Sequence, residues 1–242
     1  MFVPDVVKQQ LAPTGILRAG INLSNFLLVS GTAVDGTPQG ISPDIANLVA
    51  TTLGLPCELV CFDRPGKLAD AVNRDIGDIG NIAFEAERAQ TLDFSHPYVV
   101  IEANFLVRHD DDFLTNQNVD RAGTRIVVSE RIAYDLWLTD HFSQAHIIRA
   151  SSIQAAHDLF LDKKANVLAS LKPKLLEEVA NHSGLRMMPP FTSVKQSIGL
   201  AKGKAESIAF INTLIAQSIK NGWIAAQLEL HGMTGKLGID PH

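Results

Sequence analysis

The chain has 242 residues, enough for one large domain or for two lobes of about 100–150 residues. Hydrophobic residues at 46% and charged residues at 19% exclude a disordered chain and leave an ordinary globular one. A net charge of −5 argues against nucleic acid as the main partner, since phosphate binding needs a basic surface.

The opening run Met1-Phe-Val-Pro-Asp-Val-Val-Lys-Gln-Gln lacks the basic, apolar and small-residue regions of a secretory signal. The compartment is therefore expected to be cytoplasmic if Met1 is the native start, and periplasmic if a leader was removed. No stretch reaches the ~20 apolar residues of a membrane span.

Gly15 to Asn22 alternates Leu17, Ala19 and Ile21 and predicts a strand. Gly40-Ile-Ser-Pro-Asp-Ile-Ala predicts a helix start with Ser42 as N-cap and Pro43 at the first helical position. Ile45, Leu48, Val49 and Leu53 give that helix one apolar face, and Gly54 stops it. Cys57 to Phe62 predicts the next strand. Its two cysteines share a face four residues apart, too far for a disulfide, and are expected as buried thiols. A short helix near Lys67 to Asn73 and strands from near Asp78 and over Ala103 to Val107 follow.

Asp110 to Asp112 reads as a solvated turn. Beyond it the spacing predicts strands at Arg125–Ser129, His146–Ala150, Ala165–Ser170 and Ser197–Ala201. Helices are expected at Ala133–Thr139, Ile153–Leu161 and Lys174–Asn181, the last started by Pro173. A long one over Ala205–Asn221 carries Ile208, Ile211, Ile215 and Ile219 on one face. Strands separated by helices imply parallel α/β sheets. The acidic turn and the Gly184–Pro190 stretch read as breaks. If both are crossings, residues 1–107 and 196–242 form a discontinuous first lobe and residues 108–195 an inserted second one, with a ligand cleft at the strand ends between them.

Several segments resemble bacterial extracellular solute-binding proteins, family 3, the polar amino-acid receptors of ABC importers. The motif around Gly40 is similar to the family's Gly-Phe-x-x-Asp-hydrophobic-Ala. Arg88-Ala-Gln-Thr-Leu-Asp-Phe-Ser-His-Pro-Tyr98 is similar to its arginine followed by Asp-Phe-Ser-x-Pro-Tyr. Ser197-Ile-Gly-Leu-Ala-Lys-Gly resembles the return strand, and Ala205 to Gly222 with Leu230-His-Gly-Met the closing helices. The matches run from about residue 15 to 235. The resemblance implies the two-lobed periplasmic-binding-protein fold of type II.

A guanidinium holds a carboxylate through two parallel hydrogen bonds, and the resemblance assigns that task to Arg88. Asp93, Phe94 and Tyr98 read as turn-forming and packing residues. The resemblance also places Asn22, Asn25, Phe62, Asn81 and Ala83 near the ligand. Phe26 reads equally as a ligand wall or a core residue. In the second lobe the family's glycine position falls on Arg131, which either adds charge to an anion at the helix start, blocks the site or faces solvent. Tyr134 reads either as a cleft residue or as helix packing. Where amino-acid binders carry an aspartate for the ligand ammonium, this chain has Leu171, with Lys172 next. An unpaired buried ammonium costs several kcal/mol, so Arg88, Arg131 and Lys172 together predict an anionic ligand such as a carboxylate.

No Gly-x-Ser-x-Gly elbow, dinucleotide fingerprint or metal-ligand spacing is present, so no enzyme activity, metal or cofactor is expected. The expected partners are a small-molecule ligand and an ABC permease, with the protein itself a monomer. The alternatives are a dehydratase of cyclohexadienyl carboxylic acids on the same fold, for which Glu85, Glu87, His96 and Lys172 are the acid/base candidates, and a cytoplasmic sensor or scavenger.

Overall fold

The computed structural model describes residues 2–239; Met1, on which the expected compartment turns, and residues 240–242 lie outside the described residues. The chain divides into two compact units. One takes the chain up to Val100 and again from Lys195; the other is Ile101–Val194.

The first unit opens with helix α1 (Asp5–Leu11), strand β1 (Leu17–Asn22) and a small hairpin of β2 (Gly31–Thr32) and β3 (Pro38–Gln39). Helix α2 (Ile41–Leu53), strand β4 (Cys57–Phe62), helix α3 (Pro65–Asn73), strand β5 (Ile79–Ala83), a 3-10 turn (Arg88–Gln90) and strand β6 (Leu92–Phe94) follow. Strand β7 (Val99–Arg108) leads into the second unit. That unit holds a 3-10 turn (Asn116–Val119), β8 (Arg125–Ser129), α4 (Ala133–His141), β9 (His146–Ala150), α5 (Ile153–Leu161), β10 (Val167–Leu171) and α6 (Lys172–Asn181). Strand β11 (Leu185–Ala201) returns to the first unit, which closes with α7 (Ala205–Lys220) and α8 (Trp223–Leu230). Among the described residues no helix is long and apolar enough to cross a membrane.

In the first unit β1 lies between β4 and β5 and is parallel to both, and β11 adds to β5 antiparallel. In the second, β8 lies between β9 and β10 in parallel, and β7 adds to β10 antiparallel. The expectation of wholly parallel sheets is thus corrected: the two crossing strands run against their neighbours. The first passage falls inside β7, while the acidic run near Asp110 lies within the second unit. The Gly184–Pro190 stretch is not a break; from Leu185 it belongs to β11.

Burial explains the elements. Leu68, Val72, Ile82 and Leu92 form one buried cluster of the first unit. Leu106, Val127, Ala156, Phe160, Leu168 and Leu175 form the core of the second. Each of the larger of these side chains contributes about 1.5–3 kcal/mol when fully withdrawn from water. Helix α2 begins one residue after Gly40, so Ser42 stands in the first turn rather than at the cap. Gly54 ends it in the left-handed conformation, its N–H donating to the carbonyls of Ala50 and Thr51. Helix α7 buries a face centred on Phe210, Ile211, Leu214 and Ile215, with Ile208 and Ile219 at its margins. Both cysteines are free. The expectation of two buried thiols fails at both: Cys57 is half-buried and Cys61 exposed, and β4 is the edge strand, pairing among the described residues with β1. Partial burial lifts the Cys57 thiol pKa to about 11 and raises that of Cys61 as well.

Candidate functional site

In a parallel sheet the helix-bound chain turns at the carboxyl ends of the strands leave backbone and side-chain groups pointing past the edge, where ligands bind. In the first unit the register sets Asn22 beside Phe62 and Ile21 beside Asn81, so the ends of β4, β1 and β5 lie side by side. Four expected site residues cluster there: Asn22, Phe62, Asn81 and Ala83.

Arg88 follows on the 3-10 turn. Only 6% of it is exposed, and its Nη1 donates to the Ala83 carbonyl at 2.9 Å. Ala83 thus acts through its backbone, which orients the guanidinium. Asn81 is 2% exposed, and its Oδ1 accepts from the Tyr98 hydroxyl at 3.5 Å. Its Nδ2 is buried without a hydrogen-bond partner among the described residues. A buried donor left in this condition costs about 1–3 kcal/mol, which an acceptor on a ligand would recover.

The Asp-Phe-Ser-His-Pro-Tyr run holds this edge in place. Asp93 accepts from Lys202 Nζ at 2.8 Å and from the Gly203 N–H at 3.0 Å, fixing the turn after β11. Ser95 Oγ accepts from the Ile198 N–H at 2.9 Å. Tyr98 is buried, and its hydroxyl lies 3.3 Å from Ser42 Oγ, linking the start of α2 to Asn81. Its phenol pKa is raised by burial, so it stays neutral.

Other residues serve the scaffold. Asn22 Oδ1 accepts from the N–H and hydroxyl of Ser24, at 3.2 and 2.8 Å, and Asn25 Oδ1 accepts from the Leu27 N–H at 3.3 Å. Both carbonyls shape the loop after β1. Phe62 packs against the Leu68–Val72–Ile82–Leu92 cluster, and Phe26 is half-buried.

In the second unit Arg131, Tyr134, Leu171 and Lys172 stand at the carboxyl ends of the neighbouring strands β8 and β10. Arg131 takes a left-handed backbone, φ 55°, a conformation that glycine enters more readily. Its N–H donates to Asp135 Oδ2 at 2.7 Å, and Asp135 also meets Arg149 Nε at 2.9 Å. An anion on that amide would have to displace a buried carboxylate from the first turn of α4. Replacing Arg131 by Gly relieves about 1 kcal/mol of left-handed strain, offset in part by glycine's freedom in the unfolded chain. Denaturant melts are expected to show equal or slightly higher stability for Arg131→Gly and a loss of about 1–2 kcal/mol for β-branched Arg131→Val.

Tyr134 is 3% exposed, and burial raises its phenol pKa. Leu171 is buried. Lys172 Nζ lies 2.6 Å from Glu102 Oε2, so its charge is opposed by a carboxylate rather than offered alone to a ligand anion. Glu102 was not singled out from the sequence, although a lone charge within Val-Val-Ile-Glu-Ala-Asn-Phe was a legible signal. His157 and Ser170 gave no such signal, because their partners lie on other elements.

The profile of the bacterial extracellular solute-binding proteins, family 3, matches residues 25–231. This chain belongs to that family. The L-cystine-binding protein TcyJ of Escherichia coli (strain K12) is 22% identical over 231 residues, 94% of this chain and 86% of that one. Among solved structures, a cysteine-binding protein from Campylobacter jejuni superposes with a TM-score of 0.76 at 16% identity, covering 98% of this chain and 100% of that one. The ancestral amino acid-binding protein AncCDT-1, a precursor of cyclohexadienyl dehydratase, gives 0.73 at 18% identity, covering 94% and 99%. These likenesses establish the type II periplasmic-binding fold for this member of the family.

Proposed function

We propose that this protein is the binding component of an ABC importer, taking up a small amino acid through its carboxylate and responding by hinge closure. The observation that carries the reading is the donor pair at the end of β5: the buried Arg88 guanidinium and the Asn81 Nδ2 that lacks an acceptor. A carboxylate presents two acceptor oxygens and matches such donors. The Glu102–Lys172 pair supplies both signs of charge, which suits a zwitterion better than the purely anionic ligand expected from Arg88, Arg131 and Lys172 alone. The cystine- and cysteine-binding relatives make sulfur amino acids the first candidates. Operation with a permease places the mature protein outside the cytoplasmic membrane.

Calorimetric titration with L-cystine, L-cysteine, L-arginine, L-glutamate and simple organic acids tests this. Saturable one-to-one binding of an amino acid is expected. No binding of any of these compounds, or binding confined to the organic acids, would sink the proposal. In the same reading the protein transforms nothing; conversion of prephenate or arogenate would favour the dehydratase alternative instead.

A further inference from the structure

Three residues far apart in the chain meet in the first unit. His231 follows the last turn of α8, Asp44 stands in the first turn of α2, and Ser30 leads into β2. His231 Nε2 lies 2.6 Å from Asp44 Oδ2, and its Nδ1 lies 3.4 Å from Ser30 Oγ. All three line one open cavity of about 630 Å³, shared by the β2–β3 hairpin, the start of α2 and the end of α8. The ring and the carboxylate are half-buried and Ser30 is exposed, so the hydroxyl is the member that a molecule from solvent meets. The Ser30 N–H donates to the Gln39 carbonyl at 3.0 Å, which fixes the backbone beneath that hydroxyl.

A carboxylate oxygen only accepts, so Nε2 of His231 carries the hydrogen. In the neutral ring Nδ1 then keeps its lone pair, and the Ser30 hydroxyl donates to it. Such an arrangement activates an otherwise weak nucleophile: a base takes the hydroxyl proton, and a third group orients the base. The 3.4 Å separation exceeds the about 2.6–3.2 Å of a working pair, as is common before a substrate closes on one. The side-chain amides of Gln39 and Asn47 line the same cavity and bring N–H donors to it. Among the described residues that line it there is no lysine or arginine, and Asp44 adds a negative charge, which disfavours an anionic substrate.

We infer that this cavity is a second site, built from other residues than Arg88 and Asn81, at which Ser30 hydrolyses small uncharged carboxylic esters. Ser30 Oγ bonds to the acyl carbon while its proton passes to His231 Nδ1, and the amides of Gln39 and Asn47 supply donors for the oxyanion. The tetrahedral adduct collapses, the bond to the alcohol oxygen breaks, and the alcohol leaves with the proton from Nδ1. Water then attacks the acyl carbon and gives a proton to Nδ1. The Ser30 oxygen departs, recovers that proton, and the carboxylic acid is released. Asp44 is a positioning residue, holding the ring in its Nε2–H form. None of these steps depends on the proposed solute binding.

The test is release of p-nitrophenol from p-nitrophenyl acetate by wild type, Ser30→Ala, His231→Gln and Asp44→Ala, followed past one equivalent per protein. Melts of each variant and peptide mass spectrometry, to locate the acetyl group, accompany it. Sustained turnover with acetyl on Ser30 is expected in wild type. Turnover about a hundredfold slower is expected in Ser30→Ala and His231→Gln, since a general base supplies about 10²–10⁴-fold. Exposed lysines and Cys61 also take an acetyl group, but they hold it and do not turn over. Release that stops at these groups, or turnover unchanged in Ser30→Ala, overturns the inference. Ser30 is exposed, so its alanine variant is expected to melt like wild type, and it decides the matter even if losing the α2–α8 tie unfolds the other two. Nitrogen-15 NMR of His231 at about pH 8, where an ordinary imidazole is neutral, reads the role of Asp44. The Nε2–H tautomer is expected in wild type and a mixture of both in Asp44→Ala. The Nδ1–H form in wild type, or an unmixed Nε2–H form in the variant, would overturn the relay.

Discussion

Arg88→Gln is expected to abolish measurable amino-acid binding, and Arg88→Lys to weaken it by a factor of about 10–100. The guanidinium is almost fully withdrawn from water, and the Ala83 carbonyl fixes the edge that carries Nη1. A charge-assisted hydrogen bond contributes about 1.5–3 kcal/mol, so losing two of them removes at least about a hundredfold in affinity. Lysine keeps the charge but has no planar fork, so one of the two bonds and the orientation are lost. Titration with the tightest wild-type ligand, alongside melts, checks this. A variant that melts like wild type and binds equally well would show that Arg88 serves the fold alone.

Arg88 was legible because it sits in a motif, and the structure shows what the motif does. Asp93, Ser95 and Tyr98 each hold a turn, a strand end or a helix start, and all of them brace the strand that ends beside Arg88. The second unit was harder to read. The position of Leu171 named a missing carboxylate, but not that Glu102, on the neighbouring strand, stands beside Lys172. Such a pairing depends on which strands are adjacent: Leu171 lies opposite Ala103 only because β7 runs antiparallel to β10. The predicted helix Ile153–Leu161 gave no hint that His157 would be buried in it; its ring is tolerated because Glu178 and Ser170 satisfy both nitrogens.

Local signals served the fold best where an element is short and bounded by turn residues. Cys57–Phe62, Arg125–Ser129, His146–Ala150 and Ile153–Leu161 have the extents read from the sequence. They failed where non-local pairing overrides local chemistry. The Gly184–Pro190 stretch read as a break, but Pro189 and Pro190 lie within β11, a 17-residue strand. Proline is compatible with a strand wherever its missing N–H is not needed by the ladder. Ser42 had the chemistry of an N-cap, but its hydroxyl lies against Tyr98 and the cap is Gly40.

Gly40→Ala is the substitution expected to damage the fold most. At φ 142° the backbone occupies a region that side chains with a Cβ rarely enter. A Cβ there would also stand 2.3 Å from the Leu28 carbonyl oxygen and 2.9 Å from Val29 Cα. Both obstacles are backbone atoms, so no rotamer change relieves the clash. The loop cannot simply retreat, because the Ser42 N–H donates to Leu28 O at 3.1 Å and the Ser30 N–H to Gln39 O at 3.0 Å. A forced backbone conformation costs about 1–3 kcal/mol and overpacking about 1–3 more, so a loss of about 2–6 kcal/mol is expected in denaturant melts. The damage should reach the site. Displacing the start of α2 pulls Ser42 from Tyr98, whose hydroxyl also holds Asn81, so the folded fraction of Gly40→Ala is expected to bind more weakly than wild type. Wild-type stability in Gly40→Ala would mean that the loop after β1 and the first turn of α2 are not packed as tightly as this geometry requires.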